Sequence, residues 1–527
     1  MTYAAEHTVQ QRKPRGGNRN LGKIIAIAAE VSLVSGFGAG AGVTAVLKAS
    51  ASSQQSFQML VGDGGGGANT MTYDYTGSYS GVLTADGEEM SSDGETTTAS
   101  SSDQNAALVQ NGGTLTIISG ELVKSGDSSN ADNCNFYGTN SVLLAVGENS
   151  KAVISDSSIS ATSSGSNAIF STDSATVLAN NVTISTSSDN SRGLDATYSG
   201  SVVANKMTIS TQGDHSATLA TDRGGGSISV TDSTLSTAGS GSPLLYSTGD
   251  VEVSGVTGTA TGAQIAGMEG LNTILINDST LESTNTGTTG SDPVANGVII
   301  YQSTSGDAET STGEHATFQA KDSTLKSAIE SGSMFYFTNT TADVVLSSTE
   351  LDFDSSAANL ILAAGNDANS WGSAGSNGAT VNFTGRSQTL EGKVSADTIS
   401  SVTLNLLEGS TWTGSAEITE NSAGTQTTDS PITVNVDGTS TWVVTADTTI
   451  SALNVASGGS VVDSSGRTVT IVAGGNTVVS GDSDITVTVT GSYGTSVEAG
   501  SETELGSDVI DRSSFDEQFG TSTTWSL

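Results

Sequence analysis

Short runs of alternating apolar and polar residues return at a nearly constant interval along most of this chain. The stretch VLANNVTIST ends at Thr186, and VVANKMTIST ends 25 residues later at Thr211. Alternation with a period of two is typical of a β-strand that buries one face, so each copy predicts a short strand. The clearest copies carry their last apolar residue at Ile159, Ile184, Ile209, Leu235, Leu281, Leu325 and Leu351.

The spacing of these copies defines a repeat of about 25 residues. The first four are 25, 25 and 26 residues apart, and the last two are 26 apart. The interval of 46 between Leu235 and Leu281 fits two shorter turns, with the degenerate run VEVSGVTG between them. A second set of runs, including SNAIFST and HSATLAT, returns out of phase with the first. Each period therefore holds two or three short strands separated by polar turns.

This period favours one coil of a solenoid over other repeat architectures. A propeller blade takes about 40 residues and a helical repeat shows a 3.6-residue rhythm, and the sequence has neither pattern. Strands this short bury little alone, but parallel copies stacked about 4.8 Å apart share one continuous core. We therefore predict an all-β fold, a right-handed parallel β-helix solenoid, in which Ile184 and Ile209 face inward. About 15 coils over residues 105–495 would form a rod roughly 70 Å long.

Small polar residues recur where the strands should bend. ANN (179–181), ANK (204–206) and IND (276–278) occupy matched positions in their copies. Side chains of this kind stack into hydrogen-bonded ladders when equivalent turns lie on top of one another. After about residue 395 the repeat drifts, and Trp412 and Trp442 recur in matching Gly-Ser-Thr-rich contexts. We expect these two rings to cap or plug the last coils, where a solenoid otherwise exposes an apolar end.

Composition divides the chain into five segments. Basic residues precede an apolar run from Ile24 to Leu47, and small residues follow up to Ala51, which is the order of a Sec-type signal. An uncleaved N-terminal anchor is the alternative, and either one predicts a secreted or cell-surface protein. The predicted segments are a signal peptide (1–51), a Gly/Ser/acidic linker and N-terminal cap (52–104), β-helix repeats (105–395), C-terminal coils with GSTW-type motifs (396–495), and an acidic flexible tail (496–527).

Net charge and cysteine content limit which binding partners and cofactors this chain is expected to have. The chain has 17 Lys+Arg and 55 Asp+Glu, a net charge of −38. Removal of residues 1–51 takes away six basic and two acidic residues and leaves 11 against 53, a net charge of −42. Such a surface repels nucleic acid and anionic lipid, so we predict neither as a partner, and no membrane contact after signal cleavage. One cysteine, Cys134, and three histidines give no pattern for a disulfide or a metal, and we predict no cofactor.

One local cluster of charge is the candidate site, because charged residues are scarce elsewhere. Aligning SRGLDATYSG with HSATLATDRG places Arg192 beside Ser216 in the next coil. A surface ion-pair patch beside the GGG turn (224–226) is the favoured interpretation. The alternatives are a patch that binds an acidic glycan through forked arginine hydrogen bonds, and a catalytic site. The candidate ligand-binding residues are Arg192, Asp195, His215, Asp222 and Arg223; no catalytic or metal-binding residue is predicted.

The runs GTNSVLLAVGENSKAVISDSSI, SRGLDATYSGSVVANKMTIST and HSATLATDRGGGSISVTDSTLSTAG resemble secreted right-handed β-helix proteins of anaerobic and gut bacteria, described as adhesin-like or pectin-lyase-like. The resemblance covers roughly residues 105–365, and the GSTW segments are more weakly similar to the C-terminal coils of autotransporter-type adhesins. It implies a β-helix fold and an extracellular setting but no established activity. We predict an adhesin-like protein that contacts polysaccharide or a cell-surface glycoprotein without catalysis. The alternative is a polysaccharide lyase or glycoside hydrolase. Such enzymes usually align carboxylates across neighbouring coils, and no pair recurs over three coils here.

Overall fold

The computed structural model describes residues 72–303, 314–424 and 427–527. The predicted signal peptide and the start of the predicted linker, up to residue 71, lie outside the described residues. Strands make up 47% of the described residues and helices 4%, and the strands form long parallel sheets. The predicted all-β fold, a right-handed parallel β-helix, is confirmed.

Each coil contributes one strand to each of up to three sheets. Sheet A is a single sheet of 13 strands in which neighbouring members are successive coils. Its strands are β1 (Gly81–Asp86), β4 (Asn105–Gln110), β7 (Leu143–Val146), β9 (Ile169–Thr172), β11 (Leu194–Ala196), β14 (Leu219–Thr221), β17 (Leu245–Ser247), β20 (Ala266–Glu269), β23 (Asn296–Tyr301), β26 (Ser333–Thr338), β29 (Asn359–Ala363), β32 (Val394–Asp397) and β35 (Ala416–Thr419).

Sheet B follows sheet A within each coil. Two of its members, β8 and β10, are long strands that bend and continue into sheet C. Its strands are β2 (Glu89–Asp93), β5 (Thr114–Ile118), β8 (Lys151–Ala161), β10 (Thr176–Thr186), β12 (Ser201–Asn205), β15 (Ser227–Thr231), β18 (Asp250–Ser254), β21 (Thr273–Asn277), β24 (Ala316–Lys321), β27 (Thr341–Ser347), β30 (Thr380–Arg386), β33 (Ser401–Leu407), β36 (Ile432–Val436), β39 (Ala452–Val455) and β44 (Tyr493–Gly494).

Sheet C forms the third face and is interrupted once, because β28 and β31 do not pair in the described part of the chain. Besides the ends of β8 and β10, it contains β3 (Thr96–Ala99), β6 (Glu121–Lys124), β13 (Thr208–Thr211), β16 (Thr234–Thr237), β19 (Thr257–Ala260), β22 (Thr280–Ser283), β25 (Thr324–Ser327), β28 (Glu350–Asp352), β31 (Thr389–Glu391), β34 (Thr411–Gly414), β37 (Thr441–Val444) and β40 (Ser460–Asp463).

A fourth small sheet and three helical segments complete the described chain. A small sheet D contains β38 (Thr448–Ile450), β41 (Thr470–Ala473), β42 (Asn476–Val479) and β43 (Thr486–Val489), and its β41–β42 pair is antiparallel. The helices are α1 (Ala131–Tyr137), α2 (Ser513–Phe519) and one 3₁₀ turn (Ser501–Thr503).

The register between coils follows the sequence repeat. Ile184 pairs with Ile159 on one side and Ile209 on the other, and all three are 1% exposed. Their side chains form one column of the core, because residues in register in a parallel sheet point to the same face. The predicted inward orientation of Ile184 and Ile209 is confirmed.

The two irregular intervals have different structures. Leu235 pairs with Gly258, and Gly258 pairs with Leu281, so the interval of 46 residues is two shorter coils, as predicted. Leu281 pairs directly with Leu325, so the next interval is a single coil that contains a long insertion. Insertions leave through the turns and therefore leave the stacking of the strands unchanged.

The bend between sheets B and C explains the recurring Asn and Asp residues. Asn, Asp and Gly tolerate the left-handed conformation best, and it redirects the chain in one residue. Asn181 Nδ2 donates to Asp156 Oδ1 at 2.6 Å, and Asn205 Nδ2 donates to Asn180 Oδ1 at 3.0 Å, which confirms the predicted ladder. Positive φ angles occur at this bend in Asp156, Asn181, Lys206, Asp232, Gly255, Asp278, Asp322, Ser348 and Ser387.

Trp412 and Trp442 lie inside the solenoid and do not cap it. Their rings stack with centroids 4.7 Å apart and 12° between planes, and both residues are 0% exposed. The next strand, β40, places Val461 in register with Trp442. The expectation of a cap is wrong because the coils continue past both rings, and full burial leaves no ring face for a ligand.

Both ends of the described solenoid differ from the sequence prediction. The first coil, β1 to β3, pairs with β4 to β6, so the coils begin at Gly81 and not at residue 105. The predicted flexible tail, residues 496–527, includes α2 and packs on sheet B, where Phe515 is 0% exposed. Phe515 contacts Leu178 and Val203, two apolar residues on the outward face of their strands.

Replacing Ile184 with Asp should lower the free energy of unfolding by several kcal/mol, since it places an unpaired charge in the core column. The matched control is Thr183→Asp on the exposed face of the same strand, which we expect to change stability by less than about 0.5 kcal/mol. Chemical denaturation followed by circular dichroism measures both. Equal effects of the two substitutions would contradict the assigned register.

Candidate functional site

Three of the five predicted site residues form one buried ion-pair network. Arg192 Nη1 lies 3.3 Å from Asp195 Oδ2, and its Nη2 lies 3.2 Å from Asp222 Oδ2. Arg192 Nη1 also donates to Asn135 Oδ1 at 3.1 Å. Arg192 is 9% exposed, Asp195 0% and Asp222 6%, so the expected surface patch is wrong for these three residues.

Helix α1 covers this network. It lies in the insertion between β6 and β7, begins after the N-cap Asn130 and ends at Gly138, whose φ is 69°. Thr197 Oγ1 on the outward side of sheet A donates to Phe136 O at 2.9 Å and so holds the helix against the sheet. Burial within this contact raises the pKa of Cys134 to about 11, so its thiol stays protonated and unreactive at neutral pH.

The network shares one cation between two carboxylates. Burial raises the pKa of Asp195 to about 7, although Arg192 acts in the opposite direction. Burial alone would lower the pKa of Arg192, but Asp195 and Asp222 outweigh it and raise that pKa. Asp195 Oδ1 has no hydrogen-bond partner in the described part of the protein. Partial protonation of Asp195 near neutral pH therefore relieves the excess of negative charge.

The other two predicted residues lie outside the two ion pairs. Arg223 places its guanidinium carbon 3.7 Å from the ring centre of Phe136, a cation–π contact with α1. His215 lies in an exposed turn with a φ of 54°, and its backbone N–H donates to Ser240 O at 3.0 Å. The assigned ligand-binding role of all five residues stays a prediction.

The sequence alignment of these two coils was shifted by one residue. β11 and β14 pair with Asp195 opposite Ala220, an offset of 25. Ser191, and not Arg192, therefore meets Ser216, and its N–H donates to Ser216 Oγ at 2.9 Å. This serine contact supports the turn and carries no charge.

The two carboxylates are close together but do not face a groove. Asp195 and Asp222 bind the same guanidinium, and α1 separates that guanidinium from solvent. A glycosidase needs two carboxyl groups on either side of an accessible sugar bond. Arg192, Asp195 and Asp222 are thus arranged to hold α1 against sheet A.

A second cluster, which the sequence analysis missed, lies beside α1. The tyrosine cluster comprises Tyr73, Tyr75, Tyr79, Tyr137 and Tyr198, which are five of the ten tyrosines of the chain. The signal for it is the run YDYTGSY (73–79), which is dense in aromatics in a chain where Phe, Trp and Tyr make up 5%. The run was not recognised as part of a cluster because it lies in the segment predicted to be a linker and N-terminal cap (52–104).

Three rings of the tyrosine cluster form a column. Tyr75 stacks on Tyr137 at 5.1 Å, and Tyr137 stacks on Tyr198 at 5.5 Å with 2° between the planes. Tyr198 packs in turn on Gly224, where a Cβ would lie 2.3 Å from the ring. Gly224 therefore packs on the column at Tyr198, and Tyr75 is the ring at the other end of the column, where Tyr79 and Gly77 also contact it.

Hydroxyl and carboxylate groups surround the rings. Tyr73 Oη lies 2.6 Å from Tyr79 Oη, Tyr79 Oη donates to Tyr137 O at 3.0 Å, and Tyr137 Oη donates to Asp74. Burial raises the pKa of Tyr73 to about 12, so its hydroxyl is neutral under physiological conditions. Tyr73, Tyr75 and Tyr137 are half-buried and Asp74 is exposed, so the cluster presents aromatic and acidic groups at the surface.

Within residues 72–303, 314–424 and 427–527, no group of three or more His, Cys, Asp or Glu side chains is placed to hold a metal ion. Over the same ranges, no helix has the length and apolar content needed to cross a bilayer.

Replacing Arg192 with Ala should destabilise the protein by about 3–5 kcal/mol, because two buried carboxylates lose the guanidinium that they share. Arg223→Ala is the control, with an expected cost of about 1 kcal/mol from its cation–π contact. Urea denaturation measures both variants. A loss below about 0.5 kcal/mol for Arg192→Ala would restore the surface interpretation.

Asp195→Asn should flatten the pH dependence of stability. The pKa of Asp195 is higher in the folded than in the unfolded protein, so folding takes up a proton and wild-type stability falls as pH rises from about 4 to about 7. One pKa unit corresponds to about 1.4 kcal/mol, so the wild type should lose more than about 1 kcal/mol relative to Asp195→Asn over this range. Urea titrations at the two ends of the range test this, and parallel curves for the two proteins would contradict it.

No protein-family model matches this chain, and no curated protein is similar to it at a significant level.

Proposed function

We propose that this chain is an exported, adhesin-like β-helix protein that binds glycans without cleaving them, through the tyrosine cluster. The observation that carries the proposal is the column of stacked tyrosines, with Tyr75 half-buried at its end, fixed on a rigid sheet. Export rests on the order of basic, apolar and small residues in 1–51.

The chemistry of the cluster suits a sugar. The C–H face of a pyranose packs on an aromatic ring, while tyrosine hydroxyls and carboxylates hydrogen-bond its hydroxyl groups. Tyr75 supplies a ring, and Tyr137 and Asp74 supply polar atoms already joined to one another. The stacking preorganises the rings, so binding costs little side-chain entropy.

Charge selects the class of glycan. The charges that influence the hydroxyls of Tyr73 and Tyr75 are carboxylates, Asp173 and Asp103 respectively. Acidic glycans would be repelled, whereas neutral and amino sugars would be accepted. The sequence predicted an acidic glycan instead, because Arg192 and Arg223 were expected to bind it. In the structure Arg192 pairs with Asp195 beneath α1, and Arg223 packs on Phe136 of α1.

The carboxylates of the first candidate site do not favour the enzymatic alternative. Asp195 and Asp222 are both committed to Arg192 beneath α1. A binding role needs no such pair.

Tyr75→Ala should weaken binding to neutral or amino-sugar polysaccharides by about tenfold, since it removes the terminal ring of the column. Tyr75→Phe keeps the ring and should bind nearly as well as the wild type. Tyr493→Ala removes a half-buried tyrosine at the far end of sheet B and is the matched control. A glycan array gives the ligand, and titration on the immobilised ligand gives the affinity.

Three results would count against the proposal. Binding that survives Tyr75→Ala unchanged places the ligand elsewhere. A preference for sulfated or uronic-acid glycans contradicts the charge argument. Release of reducing ends from the bound polysaccharide identifies an enzyme.

A further inference from the structure

The C-terminal residues form a strap along the solenoid. The strap, defined as residues 503–519, crosses sheet B from β30 back to β8, which at about 4.8 Å per strand is roughly 40 Å. Its contacts step down the sheet one after another, so the segment lies nearly along the solenoid axis. The contacts in order are Thr503 with Arg386, Gly506 with Gln319, Ile510 with Glu252, Arg512 with Ser229, Phe515 with Leu178, and Gln518 with Lys151.

Arg512 is the polar anchor of the strap and is 1% exposed. Its Nη1 donates to Ser229 O at 2.9 Å and to Ser229 Oγ at 2.8 Å. Its Nη2 donates to Ala204 O at 2.9 Å and to Thr231 Oγ1 at 3.0 Å. One guanidinium thus donates hydrogen bonds to three residues on two neighbouring strands, β12 and β15. Burial lowers its pKa to about 10, which leaves it charged at neutral pH.

Two further anchors flank Arg512. Phe515 fills an apolar position formed by Leu178 and Val203, which face outward from β10 and β12. On the other side, the backbone N–H of Ile510 donates to both carboxylate oxygens of Glu252, at 3.0 and 2.8 Å. Glu252 is 0% exposed although it lies on the outward face of β18. A solvated sheet face carries polar residues, so the outward-facing apolar side chains of Leu178 and Val203 need a cover. The buried carboxylate of Glu252 needs hydrogen-bond donors, which the strap supplies.

The sheet beneath the strap is complete without it. Every strand of sheet B from β8 to β30 pairs with strands of neighbouring coils, and the strap adds no strand to any described sheet. Removing the strap would therefore break side-chain contacts but no strand pairing. A surface of this kind behaves as a binding site with a tethered ligand.

We propose that the outward face of sheet B from β8 to β24 is a peptide-binding groove, and that the strap is its ligand in cis. The groove selects an apolar residue, an arginine two positions later and, in the short helix that follows, an aromatic residue three positions after the arginine. In this chain those residues are Ile510, Arg512 and Phe515.

Docking is linked to protonation. The strap buries Glu252 beside Asp250, and the other charges facing them are Arg512 and Asp516 from the strap and Asp232 from the neighbouring bend. Burial raises the pKa of Glu252 while the strap is docked, and Asp250 adds to this effect, which outweighs the lowering by the Ile510 N–H and by Arg512. Docking therefore takes up protons, and the groove should hold the strap less tightly as pH rises from about 5 to about 8.

The full chain allows a direct test. A site for a specific protease inserted between the exposed residues Glu498 and Ala499 separates the strap covalently after the protein has folded. We expect the cleaved C-terminal fragment to co-elute with the solenoid in gel filtration at about pH 5 and to dissociate more readily at about pH 8. A synthetic peptide of residues 504–527 should then rebind to the emptied solenoid.

Variants identify the anchors. Arg512→Ala should weaken rebinding of the peptide by at least about tenfold, because it removes several buried charge-assisted hydrogen bonds. Glu517→Ala, an exposed position of α2, should rebind like the unmodified peptide and is the matched control. Glu252→Gln in the solenoid keeps an acceptor for Ile510 N–H and should reduce the pH dependence.

The following results would overturn the proposal. Separation of the cleaved fragment from the solenoid at about pH 5 in the first gel filtration rejects the groove. Loss of β-sheet circular dichroism by the emptied solenoid rejects it as well. Equal rebinding of the Arg512→Ala and unmodified peptides rejects the anchor. Tighter rebinding at about pH 8 than at about pH 5 rejects the proton linkage.

Discussion

In-register parallel pairing between successive coils is the interaction on which the rest of this structure depends. It places like residues in columns, so that Ile159, Ile184 and Ile209 build the core while Thr183 and Thr208 stay outside. Each column works only if the chain turns at the same place in every coil. The left-handed residue between sheets B and C supplies that turn, and for this reason Asn, Asp and Gly recur there.

The same constraint decides where function can lie. The inward columns are filled by packing, and even Trp412 and Trp442 are used to fill the core. Specific chemistry is therefore confined to the outward faces and to the segments that leave the repeat. Helix α1, the tyrosine cluster and the strap are all of this kind, and each lies on an outward sheet face.

The sequence predicted what is periodic and missed what is not. The orientation of Ile184 and the shorter coils between Leu235 and Leu281 follow from spacing alone, because register repeats with the sequence. The burial of Arg192 depends on α1, which lies in an insertion that packs on the coils from outside the repeat. The repeat period therefore gives no information on where α1 lies. The apolar outward residues Leu178 and Val203 were visible signals of a cover, since a solvated face would carry polar residues there.

Disulfide trapping of neighbouring coils tests the central claim, the in-register stacking, most directly. Thr183 and Thr208 are exposed and in register on adjacent coils, so their Cα atoms lie about 4.8 Å apart, within the range of a disulfide. Thr183 and Ser210 are displaced by two residues and lie about 8 Å apart, which is too far. Buried Cys134, whose pKa is raised to about 11, should not compete. The account predicts a rapid disulfide in Thr183→Cys/Thr208→Cys and none in Thr183→Cys/Ser210→Cys, and the opposite pattern would contradict it.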